Sequence, residues 1–299
     1  MKIPQLKSDF TKNVLKLISG TALAHITTFI ALPILTRLFS KESLGLWQIY
    51  ISTITTFGVV ASLKFEMAIV IPKDDKESDQ IAVLSLAALA FFSLVFTAFL
   101  ALFGDQVLNL LNAQALEPFL YYIALGVFLF GLWQAVQYIL VRRKRFGILA
   151  TNKIIQVGTT QILAVVLGLF WQNASILLYA QMAGYAVAAW VILRMRLFNP
   201  HCSFRALWNL VKCYKKFPTV NTAMVFLNTL SLQLPVFMFN RYFTVEIVAL
   251  YSMAMRIVNI PLFMVGRSVQ QVYFASASEA RHESTEKLLS VYKSTVKKL

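Results

Sequence analysis

Runs of eighteen or more largely apolar residues, parted by short polar connections, recur along the whole chain. They predict eight membrane spans, at about 14–36, 44–70, 81–103, 119–141, 154–171, 174–198, 217–240 and 247–273. At about 1.5 Å per helical residue, each can cross roughly 30 Å of hydrocarbon. The fifth and sixth spans meet at Gln172 and Asn173 and form a tight helical hairpin. Between the third and fourth lies a longer connection, GDQVLNLLNAQALEP, with Pro118 as the start of the next helix. The pattern specifies an all-α polytopic membrane protein.

Composition agrees. The 299 residues are 58% hydrophobic and only 14% charged, with a mean hydropathy of +0.67, whereas soluble domains carry about a quarter charged residues. The net charge of +15 would suggest nucleic acid in a soluble protein. In a membrane protein it reflects the collection of Lys and Arg in cytoplasmic loops, so no nucleic-acid partner is expected. With the N-terminus cytoplasmic, every Lys and Arg falls on an inside segment except Arg37, Lys41 and Arg241, which lie outside, and Arg256, which lies within a span. One missed helix would destroy that asymmetry. Cys202 and Cys213 share one polar connection and form no CxxC pair, so neither a disulfide framework nor a metal site is indicated. The arm MKIPQLKSDFTKNVLK lacks a small-residue cleavage site and reads as a basic cytoplasmic lead into a retained helix.

One stretch occurs twice. RLFSKESLGLW at Arg37–Trp47 returns as RYFTVEIVALY at Arg241–Tyr251. Arg, Phe, Glu and Leu recur in place, and Leu32–Pro33 is echoed by Leu234–Pro235 with a two-residue shift. Both copies sit between an odd and an even span, so the repeating unit is six helices, as in transporters built from parallel repeats. The expected organisation is a cytoplasmic basic arm at 1–13 and a six-helix lobe at 14–198, followed by a cytoplasmic connection at 199–216. A partial second lobe of two helices and a tail then occupies 217–299. Four further helices would complete the second lobe, so a C-terminally truncated sequence is the expectation.

Pro33, Arg37, Leu38, Phe39, Ser40, Glu42, Gly45 and Leu46 carry a resemblance. A first helix with a late Pro, this elbow and a long second helix resemble the bacterial polysaccharide flippases of the multidrug/oligosaccharidyl-lipid/polysaccharide exporter superfamily. The likeness covers essentially the whole chain. It implies two six-helix lobes that open a central cavity alternately to the two faces of the bacterial inner membrane. The implied cargo is an oligosaccharide on a polyprenyl diphosphate, for O-antigen, capsule or exopolysaccharide assembly. Membrane lipids, a polysaccharide polymerase and other assembly proteins are the implied partners.

Such cargo needs hydrogen-bonding groups for sugar and cations for diphosphate in a low-dielectric cavity. Arg256, in the eighth span near Asn259 and Pro261, suits phosphate through its planar fork; a structural, cross-helix role fits it equally. His25 can couple to protons or simply bond a neighbouring helix. Lys64 and Glu66, two positions apart, share no helix face and either line the cytoplasmic mouth or mark the interface. Asn221, Asn228, Gln233 and Asn240 recur along span seven, with Gln134 and Gln137 in span four and Gln156 and Gln161 in span five. These can serve sugar hydroxyls or ordinary interhelical bonds. The candidate cargo-binding set is therefore Arg256, His25, Lys64, Asn228, Gln233 and Asn259, with Pro33, Pro235 and Pro261 as hinges.

Arg37 and Arg241 read as scaffold, each preceding a Ser or Thr able to cap the next helix, with Glu42 and Glu246 in its first turn. The RRKR cluster at 142–145 reads as a topogenic and headgroup anchor. No catalytic residue, metal or cofactor is expected. Two rival functions are a cation-coupled multidrug exporter, which calls for a carboxylate buried in a span, and a membrane polysaccharide polymerase or transferase. Glu66 is the nearest carboxylate for the first; Asp105 and Glu117 look too isolated for the second.

Overall fold

The computed structural model describes residues 22–24, 26–111, 113–198 and 203–258, and every regular element among them is helical. In chain order these are α1 (Ala22–Leu38), α2 (Lys41–Gly58), α3 (Phe65–Ala68) and α4 (Asp75–Leu111). A 3₁₀ helix, Gln114–Phe119, leads into α5 (Leu120–Arg142), α6 (Phe146–Gly168) and α7 (Ala174–Arg194). Then come α8 (Phe204–Cys213), a π-helical turn (Phe217–Asn221), α9 (Thr222–Tyr242) and α10 (245–258). Packing separates the chain up to Ser252 from the chain beginning at Met253.

Four stretches are long and apolar enough to cross a membrane: Asp75–Asn109, Gln114–Arg142, Ala174–Arg194 and Phe217–Tyr242. The chain is an all-α polytopic membrane protein. The described part of the first expected span is shorter, Ala22–Leu38. α6 reaches 23 residues but carries Asn152, Lys153, Gln156 and Gln161 among its apolar residues. Most of the eighth expected span, and with it Asn259 and Pro261, lies outside the described residues.

Three expectations change. The second span is not one helix over 44–70: α2 stops at Gly58, four turn residues follow Val60, and only then does α3 form. The third is far longer than 81–103. At 37 residues α4 measures about 55 Å, well beyond the hydrocarbon thickness. Its extra N-terminal turns, DKESDQ, are polar, so hydropathy could not show them. The connection after it is largely helical, and Pro118 lies inside the 3₁₀ helix rather than opening α5.

Lys, Arg and acidic residues gather at one end of the bundle, where α4 begins and α5 and α7 finish. There, one apolar cluster joins Phe65 and Ile69 to Ile81, Ile139 and Leu140, and to Leu149, Ile192 and Leu210 of α6, α7 and α8. Around it Arg142 donates to Asp75 Oδ1 at 2.9 Å and to the carbonyls of Pro72 and Lys73. Arg143 donates to Asp75 at 2.6 Å, to Asp79 at 2.9 Å and to the Leu197 carbonyl at 3.1 Å. Exposed ion pairs each contribute little. Here two guanidinium forks tie three connections to the start of α4, so half of the RRKR cluster is internal scaffold. Tyr214 adds a bond to Glu77 at 3.0 Å. Burial first, then that carboxylate, pushes its hydroxyl up to about 12, so it stays a donor at neutral pH.

The tightest helix pair is α6 with α7. Asn152 receives the Trp133 indole N–H at 3.0 Å and donates to the Ala188 carbonyl at 2.7 Å, pinning α5, α6 and α7 together. Gln156, Thr160 and Gln161 are buried in this layer, and the bonds of the first two stay within α6: Gln156 donates to Thr160 Oγ1 at 3.5 Å, and Thr160 donates to the Gln156 carbonyl at 3.0 Å. Gly184 permits the approach: a Cβ there would collide with Thr160 Oγ1 and the Gln156 carbonyl. Gly184→Val is therefore expected to destabilise the protein by about 1–3 kcal/mol through overpacking. A lower thermal midpoint of the purified, detergent-solubilised variant checks this; an unchanged midpoint contradicts the close approach.

Candidate functional site

α2 is the axis of the site. Ser40 caps it, accepting from the Ser43 N–H at 3.1 Å, with Glu42 in the first turn, as the elbow sequence predicts. The second elbow differs: the Thr244 backbone carbonyl takes the first N–H groups of α10, from Ile247 at 3.1 Å and Val248 at 3.3 Å, while its side chain bonds Glu246. A hydrogen bond from Thr244, the local backbone and nearby Lys41 hold the Glu246 carboxyl below its ordinary range. The two elbows also touch. A Cβ on Gly45 would run into the Val245 backbone, so a glycine is required where the repeat copies meet. Arg37 and Arg241 are both exposed beside them.

Further along, α2 faces α9 through a polar seam. Ser52, fully buried, donates to Gln233 Oε1 at 2.8 Å and accepts from Gln48 Nε2 at 3.3 Å. Below it Phe57 packs on Phe226, with ring centroids 6.1 Å apart, and on Phe96 at 4.9 Å. Hydroxyl and carboxamide groups of this kind donate and accept, which is what sugar hydroxyls require.

The basic-end terminus of this line is a buried ion pair. Phe130 occupies the space over Gly58, and the chain then turns through two left-handed residues, Leu63 (φ 52) and Lys64 (φ 57). Neither is a glycine, so the backbone is strained there. The turn brings Lys64 Nζ to 2.8 Å from Glu66 Oε1, with the two side chains 3% and 0% exposed. Lys64 also donates to the Val59 carbonyl at 3.0 Å. Glu66 accepts from Ser62 on its other oxygen and from Gln134 of α5 at 3.4 Å. Lys64 and Glu66, expected to share no helix face, meet because the chain here is not a continuous helix. α3 rests against the π-helical turn that opens α9; π turns are rare and often mark functional positions.

Of the expected cargo-binding residues, the structure thus brings Lys64 and Gln233 to the α2 line. Asn228 is exposed on α9 and stands apart from them. Arg256 lies on α10, half-buried, in the part of the chain that packs separately. His25, Asn259 and Pro261 lie outside the described residues. Pro33 and Pro235 are both inside helices, α1 and α9. Ser52, Ser62 and Gln48 were missed. Ser62 and Glu66 are four apart, a spacing that could have flagged them. Asp105 and Glu117, which looked isolated, line one pocket with Gly104, Leu120 and Tyr121 at the end opposite the ion pair. No group of three or more His, Cys, Asp or Glu able to hold a metal occurs among the described residues.

A family model described as polysaccharide biosynthesis protein matches residues 34–299. The chain belongs to that family. The match agrees with the flippase-like elbow, which begins within it. Searches of curated proteins and of solved structures gave no significant match.

Cutting the buried pair tests the strained turn of this family member. Glu66→Gln leaves the Lys64 ammonium buried without its counter-charge and is expected to cost about 3–5 kcal/mol. The double change Lys64→Met/Glu66→Met should recover much of that loss. Thermal unfolding of the two variants checks it; a double variant as unstable as the single one would sink the account.

Proposed function

We propose that this polysaccharide biosynthesis protein is a transporter. It flips polyprenyl-diphosphate-linked oligosaccharide from the cytoplasmic to the outer leaflet of a bacterial inner membrane. The N-terminus is cytoplasmic, and two helical lobes give alternating access without any covalent bond being changed. The observation that carries this reading is the α2–α9 seam. Polar side chains occupy apolar helices where the first lobe meets the opening helix of the second. Under this reading Gln233, Asn228 and Asn259 serve sugar hydroxyls and Arg256 serves the diphosphate; Lys64 serves it only by leaving its pair with Glu66. His25 belongs to the same candidate set, and Pro33, Pro235 and Pro261 let the helices bend. The partners are lipid-linked oligosaccharide, membrane lipids and a polymerase or other assembly proteins.

Two observations favour other readings. Glu66 is a fully buried carboxylate, as a cation-coupled exporter would use. Its charge is matched by Lys64 at 2.8 Å, which leaves little attraction for a further cation. The pocket shared by Asp105 and Glu117 gives a membrane polymerase or transferase a pair of carboxylates.

A bacterial strain lacking its own flippase and expressing the full-length protein separates these readings. Arg256→Ala is expected to slow transfer of accumulated lipid-linked oligosaccharide about tenfold or more at constant protein level, the scale of a lost charge-assisted hydrogen bond. Asp105→Asn with Glu117→Gln should leave transfer intact. Unchanged transfer in the first variant removes Arg256 from the site; loss of polymer with normal flipping in the second supports an enzyme.

A further inference from the structure

No acidic residue occurs between Glu117 and Glu246, although that stretch contains α8 and its basic surroundings. The nearest carboxylates at this end of the bundle are already engaged. Asp75 and Asp79 bind Arg142 and Arg143, and Glu77 accepts from Tyr214. Among the described residues no carboxylate forms an ion pair with Arg205, Lys212, Lys215 or Lys216, all of them exposed.

α8 is built to lie at a boundary. Ser203 caps it, accepting from the Ala206 N–H at 3.3 Å. One face, with Leu207, Leu210 and Val211, packs into the apolar cluster formed by the ends of α4, α5, α6 and α7. The other face turns Arg205, Trp208 and Lys212 outward, positions spaced one helical turn apart. Trp208 is 56% exposed, and Lys212 sits 5.8 Å from the centre of its ring. A large indole turned away from the protein among cations is costly in bulk water and favourable at headgroup depth, where its apolar body and polar edge are both served.

The depth is set by the neighbours. α8 follows the end of α7 and precedes the π turn of α9 by a few residues, and both helices are membrane-length. In the last turn of α7, Trp190 is also 56% exposed and carries Arg194 at 5.1 Å over its ring. Two exposed Trp–cation pairs, on different helices at the same end of the bundle, mark a belt rather than a chance surface ring.

We propose that the outward face of α8, with the turn that follows it, is a binding site for anionic phospholipid headgroups, with Arg205 and Lys212 on the helix and Lys215 and Lys216 after it holding phosphate and Trp208 seated between the lipids. The site is distinct from the α2–α9 seam and does not rest on the cargo reading. Its chemistry is that of a basic amphipathic helix at a charged interface.

The test uses the full-length protein reconstituted in vesicles of phosphatidylglycerol and phosphatidylcholine, with one lipid or the other brominated near the headgroup end of its chains. Bromine quenches tryptophan on contact. The chain has 5 Trp, so the part due to Trp208 is the difference between the native protein and Trp208→Phe. Expected is an excess of Trp208 quenching by brominated phosphatidylglycerol. It should vanish near 1 M salt, where the screening length falls to about 3 Å. It should fall roughly fivefold in relative affinity for each cation removed in Lys212→Gln/Lys215→Gln/Lys216→Gln. Equal quenching by both lipids would overturn the proposal, as would an excess indifferent to salt or to the triple change. Quenching of Trp208 by aqueous iodide but by neither lipid would give this face to an acidic soluble partner instead, and also overturn it.

Discussion

A carboxylate sealed from water must find every partner inside the protein, and Glu66 imposes that demand on the elements around it. Its oxygens are met by Lys64, Ser62 and Gln134. Three of these four residues lie within five positions of one another, and a straight helix could not bring both Lys64 and Ser62 to the carboxylate. The chain therefore leaves the helix after Gly58 and accepts two left-handed residues. Such residues persist only where surroundings over-determine them. Here Phe130 blocks the path over Gly58, Gln134 fixes α5 against the turn, and α3 is held in the apolar cluster. The short α2, the tucked α3 and the entry into α4 follow from this one arrangement.

What the sequence could and could not show divides along the same line. Long apolar runs need only hydrocarbon as solvent, so the membrane helices were legible from hydropathy alone. The first elbow cap was legible too, because the Ser40 side chain acts on a backbone group three residues away; the Thr244 side chain goes to Glu246 instead. Lys64 and Glu66 were misjudged because Ser-Leu-Lys-Phe-Glu contains neither glycine nor proline to warn of a left-handed turn. The polar first turns of α4 were invisible for another reason: helix continues there for the sake of Arg142 and Arg143, sixty-odd residues away, and no local pattern encodes that.

The repeat gains physical content from the structure. Gly45 and Val245 meet where the two elbow copies pack, so the internal similarity is also a spatial contact. Contact at the elbows and the Ser52–Gln233 bond lie on one helix face of α2, with the ion pair just past its end. A rigid α2 can thus sense the start of the second copy along its whole length. The family assignment, which spans residues 34–299, encloses all three.

Charge at the basic end is partitioned by side-chain chemistry. Arginine offers a planar fork that can hold two oxygens at fixed geometry, and Arg142 and Arg143 spend it on Asp75, Asp79 and loop carbonyls. Lysine is a hydrated point charge on a flexible stem, poor at fixing a loop but tolerant of partners that move. Lys212, Lys215 and Lys216 are exposed on and just after α8, in a stretch of the sequence without acidic residues. Were the net charge of +15 only a topological signal, arginine and lysine would be interchangeable across this end. They are not: the forks of Arg142 and Arg143 close the protein upon itself, while Arg205 and the lysines on and after α8 face outward beside an exposed indole.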